Sequence, residues 1–389
     1  RAVAQQGARL LLTAPGCSRE AALEPRLRVH AVSSLAEAVE LLSNPASRRD
    51  QPVPCEAHAA LARPLPAGPD LADLRGQAGG RRAVEVAAAG GHNLLLFGPP
   101  GSGKTMLARR LPGLLPPPDL AEALEITQVA SCAGLGRSDG LITRRPFRAP
   151  HHSLTGPALV GGGQVPRPGE VSLAHGGVLF LDELAEFPRT VLDRLRQPLE
   201  EGEISISRGG RTASYPSRFL LVAAMNPCPC GYRGDPLRRC LCTPQALARY
   251  RTHLSGPLLD RIDLQVEMPR VEPAALSDAA AGEGSEVVRQ RVMAARRLQA
   301  ERFSTAPFRV NGDLDGPGVK RFCPVDAGAR RLLTAALTRL GLSARAHDRI
   351  LKVARTLADL AGLSQAGEEQ VAEAIAYRAL DRRVDPEGR

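Results

Sequence analysis

Hydrophobic positions along the chain follow three different patterns. Short unbroken apolar runs bounded by Gly, Pro or acids occur at Asn93–Phe97, Val178–Leu181, Arg218–Met225 and Leu264–Met268. Runs of that length without alternation suit strands buried on both faces, as in a parallel α/β sheet. A helical pattern, Met106–Leu111, comes after the first run. Beyond Pro269 and the acidic, Ala/Gly-rich stretch Glu272–Glu286, only helical periods remain: Val287–Arg302, Asp326–Leu340, Ser343–Leu360 and Gly367–Leu380. The start is different again. Residues 1–48 pair a short apolar run, Ala8–Thr13, with a helical one, Leu35–Leu42, and are too short to bury a core alone. Residues 49–69 are Pro-rich and polar. The pattern predicts a terminal remnant over 1–48, a linker over 49–69, an α/β domain over 70–270 and an all-α domain over 271–389.

Composition narrows the classes. With 389 residues, 43% hydrophobic and 24% charged, the chain is neither wholly disordered nor fibrous. No run approaches the ~18 apolar residues of a membrane span, so no membrane partner is expected. Aromatics are 3% and Trp is absent, so the core must be aliphatic. The net charge of +10 comes almost wholly from arginine; the lysines are Lys104, Lys320 and Lys352. Such a surplus favours a polyanionic partner such as DNA. It is concentrated between Glu203 and Arg261, which hold nine arginines against three acids. Of eight cysteines, four are scattered and four sit within fifteen positions. This suits a reducing, cytoplasmic setting with one local site better than a disulfide framework.

The strongest motif is Gly98-Pro99-Pro100-Gly101-Ser102-Gly103-Lys104-Thr105, which fits G-x-x-x-x-G-K-[ST] between a strand and a helix. Its backbone N–H groups and helix N-terminus suit phosphate. Lys104 is expected to reach the β- and γ-phosphates of ATP, and Thr105 to bind Mg²⁺. The strand Val178–Leu181 ends in Asp182 and Glu183: Asp182 is expected on Mg²⁺, Glu183 on the attacking water. Asn226, at the tip of Phe219–Met225, can orient that water. Arg261 lies in Gly256–Asp263. Spacing does not choose between an arginine reaching a neighbouring subunit's ATP and a plain Asp–Arg surface pair. Ser343 is a candidate N-cap, and Arg345 in the next turn opposes the helix dipole unless an anion such as the γ-phosphate lies nearby.

Cys228-Pro229-Cys230 and Cys240-Leu241-Cys242 are two thiol pairs nine residues apart. They suit a structural tetrahedral Zn²⁺, with a redox pair or unliganded thiols as alternatives. Glu203–Tyr215 alternates, turns at Gly209-Gly210 and alternates again: a β-hairpin carrying Arg208 and Arg211 at its tip, suited to DNA phosphates. His151-His152, in Phe147–Gly156, reads as a loop.

Taken together, the phosphate loop, the paired acids, the hairpin, the cysteines and the Arg-bearing segments resemble the ComM/YifB family of magnesium-chelatase-like AAA+ ATPases over about residues 70–385. The resemblance implies an AAA+ P-loop core with a helical lid, and makes residues 1–48 the end of a Lon-like N-terminal domain. It implies a homo-oligomeric ring, in expectation a hexamer, with ATP and Mg²⁺ between subunits. It gives Asn226 the sensor 1 role, Arg261 that of the trans-acting finger and Arg345 that of sensor 2. Phe147–Gly163 matches the helix-2 insertion, whose loops face the pore. His253 stands where the family is expected to have Arg or Lys. DNA branch migration is the implied activity. A magnesium-chelatase ATPase subunit, a MoxR-like remodelling ATPase or a non-enzymatic zinc-stabilised DNA binder are the rival readings.

Overall fold

The structure is a computed structural model that describes residues 2–44, 51–64, 68–135, 140–163, 166–208, 211–253, 256–271, 282–378 and 380. The chain forms two compact units.

The smaller unit combines residues 1–67 with 117–145. Leu10–Thr13 pairs in parallel with Arg28–Ala31. Residues 49–69 are more than the linker their prolines suggest. They include the helix Ala57–Ala62, whose fully buried Ala57 joins Leu23, Ala123 and Leu141 in a small core. The helix Leu120–Cys132 lies inside the expected α/β stretch 70–270 but belongs to this unit. Asp119 caps that helix, and Thr127 Oγ1 accepts from the Ile142 N–H at 2.9 Å.

The larger unit is built on five parallel strands: β1 (Leu94–Phe97), β2 (Phe147–Arg148), β3 (Val178–Leu181), β4 (Leu220–Met225) and β5 (Leu264–Glu267). Their spatial order is β5-β1-β4-β3-β2. Four of them fall on the predicted runs. The remaining one, β2, opens the segment read as an insertion loop and pairs with Val178 and Leu179 at the sheet edge. The apolar runs lack alternation because both faces are covered. Leu94, Leu96, Phe180, Val222 and Val266 enter one core cluster, while their neighbours Leu95, Phe97, Leu179, Leu181 and Ala223 enter the other.

On the first face lie α1 (Ala78–Gly90), α2 (Lys104–Leu114) and the lid helices α3 (Ser285–Arg302), α4 (Gly316–Phe322), α5 (Ala327–Leu340), α6 (Ala344–Leu360) and α7 (Glu368–Ala376). Ser343 does cap α6, accepting from the Ala346 N–H at 3.2 Å. The opposite face carries the hairpin Glu203–Arg208/Arg211–Pro216, with Ile204 and Ile206 inward and Ser205, Ser207, Thr212 and Ser214 outward. Tyr215 donates to the Pro166 carbonyl at 2.8 Å, tying the hairpin to the neighbouring segment. The expected boundary over 272–281 lies outside the described residues.

A buried polar network joins the sheet to the lid. Asp263 Oδ2 lies 3.1 Å from His92 Nδ1, and Arg349 donates to Asp263 Oδ1. His92 Nε2 meets Thr356 Oγ1 at 2.7 Å, and Asn311 Nδ2 reaches both Thr356 Oγ1 and Asp359 Oδ2. Burial pushes the Asp263 carboxyl up, but Arg349 and His92 outweigh it and hold it well below the usual carboxylate range. Asp263→Ala strands those partners, so a loss of about 3–5 kcal/mol is expected, seen as a melting point lower by on the order of 10 °C. A depressed carboxyl stabilises above its ordinary value of 3.8 and less as pH falls below it. The gap between wild type and variant should therefore shrink in melts run below that pH; a gap unchanged by acid would deny the ion pair its role.

Candidate active site

The strands that carry the motifs end on one edge of the sheet. Phe97 is level with Met225, and Leu181 with Ala223, so Gly98, Asp182 and Asn226 emerge side by side. Gly98 has no room for a side chain: a Cβ there would lie 2.1 Å from the Met268 carbonyl oxygen. Gly101 and Gly103 take φ of +79° and +88°, which turns the loop's N–H groups inward. Gln77, itself left-handed, donates from Nε2 to the Ser102 carbonyl at 3.0 Å and to that of Pro269 at 2.5 Å, clamping the loop to the β5 exit.

Lys104 opens α2, and its ammonium donates to the Gly98 and Pro99 carbonyls at 2.8 and 2.9 Å. Burial pulls it below the usual lysine range, opposed by the Asp182 charge. A largely buried ammonium bonded to neutral groups, these two carbonyls and the Ser102 hydroxyl at 3.4 Å, gains from an anion in the loop, which fits a phosphate. Thr105 Oγ1 donates to Asp182 Oδ2 at 2.7 Å, so the two groups expected to share Mg²⁺ are adjacent. Asp182 Oδ1 also accepts from the Glu183 N–H at 3.0 Å. Glu183 is held at φ +52°, a strained conformation for a residue with a side chain, which aims its carboxylate off the strand end. Its Oε2 meets His152 Nδ1 at 3.2 Å. His152, read as loop, therefore sets the direction of Glu183. Its ring lies tilted by 35° against that of His151, with centroids 4.0 Å apart. No spacing rule could have shown this, because the contact joins the turn after β2 to the residue pair after β3. The backbone carbonyl of Asn226 accepts from Tyr250 Oη at 2.9 Å.

Arg261 lies at the other edge. It precedes β5, and its carbonyl accepts from Asn93 Nδ2 at 2.9 Å, just before β1. A four-residue strand separates that level from the phosphate loop, about 13 Å at ~3.3 Å per residue. The Arg261 guanidinium pairs with Glu200. Burial and the neighbouring Arg349, Arg196 and Arg345 lower its pKa from the usual arginine value. Arg345, exposed, bonds Asp260 at 3.0 Å. The two arginines thus share one edge, and Lys104, Thr105, Asp182, Glu183 and Asn226 the other.

The four cysteines converge. Cys228 and Cys230 Sγ are 3.4 Å apart, and Cys240 lies 3.7 and 3.6 Å from them. Cys242 Sγ accepts from the Cys230 N–H at 3.4 Å, and all four ligand atoms fall within 4.8 Å. All are free thiols. Tetrahedral sulfurs ~2.3 Å from zinc sit about 3.8 Å apart, close to these separations. The Tyr232 and Leu241 N–H groups hold the Cys230 thiol down at about 6. At the hairpin tip, Arg208 pairs with Arg211 through the backbone. The side chains of both, and that of His253, lie outside what the structure describes, as do Gly209 and Gly210.

Known proteins match over most of the chain. The family described as magnesium chelatase, subunit ChlI, matches residues 70–276, and its C-terminal part matches residues 282–378. The uncharacterized protein YifB of Escherichia coli is 48% identical over 336 residues, 84% of this chain and 65% of that protein. The competence protein ComM of Haemophilus influenzae is 50% identical over 315 residues, 80% of this chain and 60% of its own. The magnesium-chelatase 38 kDa subunit of Rhodobacter capsulatus is 26% identical over 306 residues, 75% of this chain and 80% of that subunit. The chain thus spans about 60–65% of the length of YifB and ComM. With its parallel α/β core, its helical C-terminal domain and near-50% identity to YifB and ComM, the chain belongs to the magnesium-chelatase ChlI family of AAA+ proteins.

Proposed function

We propose that the chain is the motor part of a ring-forming ATPase that moves DNA, of the branch-migration helicase kind. The observation that carries the ATPase reading is the contact of Thr105 with Asp182 beside a buried Lys104 and the strained Glu183. The glycine loop and Lys104 would hold the β- and γ-phosphates. Thr105 and Asp182 would hold Mg²⁺, which when bound neutralises charge that builds on the transferred phosphoryl group. Glu183, aimed by His152, would orient the attacking water and draw off its proton; Asn226 would align that water. Arg261 lies at the opposite edge from its own loop, so it would serve phosphate across a subunit joint, with Arg345 near it. That supports a closed ring, a hexamer by family resemblance.

DNA as the polyanion is supported by the arginine surplus between Glu203 and Arg261 and by the exposed hydroxyl face of the hairpin. The cysteine geometry supports a structural Zn²⁺. A chelatase-type or MoxR-like role in remodelling a protein partner is the second reading, favoured by the match to the 38 kDa chelatase subunit. ATP turnover measured with single-stranded, duplex and four-way-junction DNA separates the two. A several-fold stimulation that fades steeply between about 50 and 200 mM salt is expected. A rate indifferent to every DNA form would favour remodelling.

A further inference from the structure

The thiol cluster is not remote from the nucleotide edge. Cys228 stands two residues after Asn226, at the exit of β4. Gly231 closes the turn made by the first thiol pair, with its N–H on the Cys228 carbonyl at 2.9 Å and a φ of +83°. A Cβ on Gly231 would lie 3.0–3.1 Å from the ring of Pro100, inside the phosphate loop, and 3.9 Å from Asn226 Cγ. The second arm has its own tie. Cys242 leads almost at once into the helix Pro244–His253, and its Tyr250 holds the Asn226 carbonyl. Both arms of the cluster thus bear on Asn226, and one bears on the loop.

Little apolar packing fixes this segment; its other ties are polar, Asp235 with Arg270 at 3.3 Å and Arg238 on the Tyr232 hydroxyl at 2.7 Å. Between residues 227 and 243 only Cys228 and Gly231 are buried. Leu237 and Leu241 are 68% and 83% exposed. A segment with no core of its own is ordered by cross-linking, and a cation on four thiolates supplies that ordering as folding energy.

Resting on the zinc reading above, we propose that a thiophilic divalent cation on Cys228, Cys230, Cys240 and Cys242 sets the shape of the ATP site. It does so by pressing Gly231 onto Pro100 and fixing Asn226. Metal occupancy would then control nucleotide affinity, as well as the local fold.

The test uses the full chain and zinc. Metal content is measured first, then the affinity for a fluorescent ATP analogue in saturating Mg²⁺. The thiols are next stripped with a mercurial and chelator, reduced and re-zinced. One zinc per chain is expected, with affinity falling ~10-fold on stripping and returning with zinc. Gly231→Ala gives an independent arm: zinc should stay at one per chain and the chain should stay folded, with a small fall in melting point from a Cβ at positive φ, while affinity falls comparably, because the Cβ crowds Pro100. One zinc per chain with affinity unmoved by stripping, or a zinc-loaded Gly231→Ala that binds nucleotide normally, overturns the coupling and leaves the zinc site standing. A chain that binds no zinc overturns both. If stripping unfolds the protein, the Gly231→Ala arm decides alone.

Discussion

Lys104→Ala should lower ATP turnover by at least roughly 10²–10³-fold, the scale of removing one preorganised charge-stabilising donor. The expectation rests on where the ammonium sits. It is buried at the mouth of α2, already pulled below its usual pKa, and held by two carbonyls of the loop it must serve. The alanine variant loses both the staple that shapes the loop and the charge that meets phosphate. Nucleotide affinity should fall together with turnover, which separates this variant from one that harms only the chemical step. Phosphate release in steady state and titration with a fluorescent ATP analogue measure the two. Undiminished turnover would remove the phosphate-loop assignment and, with it, every role given to Asp182 and Glu183.

Arg261→Ala should be as damaging to turnover, on the order of 10³-fold, yet leave each chain's own nucleotide affinity nearly intact. The reason is the sheet: Arg261 sits level with Asn93, at the opposite edge from Gly98. Arg261→Lys, which keeps the charge beside Glu200, checks that the loss is not a folding defect. A mixing experiment is more direct. Neither Lys104→Ala nor Arg261→Ala chains should hydrolyse ATP alone. In mixed assemblies, however, an intact Lys104 from one variant can face an intact Arg261 from the other at roughly a quarter of randomly formed joints. Recovered turnover on mixing is expected; mixtures as dead as their parents would sink the inter-subunit role.

Much of this was legible before any coordinates. The four long strands declare themselves because each is buried on both faces, and an apolar run with sharp polar ends has few other uses. The Lys104, Thr105, Asp182 and Glu183 group is legible for the same reason: strand ends in a parallel sheet share one edge. What was hidden had physical causes too. β2 is only Phe147 and Arg148, too short for a pattern. α1 escapes notice because its stretch 83–90, nearly all Ala, Val and Gly, is fully buried, with α3 packed against it. The helix at 57–62 looked like linker because it is only six residues long and its apolar side is mostly alanine, which carries little signal until a partner covers it. His152 takes on its meaning only when β2 and β3 come together. For Arg261, spacing left two readings open; the register of β5 on β1 shows which edge it occupies.

That β1 is only four residues deep bears on timing. The edge that would sense one neighbour's γ-phosphate and the edge that would grip a chain's own nucleotide are two rims of a single stiff plate, locked to the lid through His92, Asp263 and Arg349. Tilting one rim tilts the other. In a closed assembly, a firing event at one joint would reach the next as a lever stroke through the plate, so the order of firing around the circle would be dictated by mechanics and not by chance encounters with fuel.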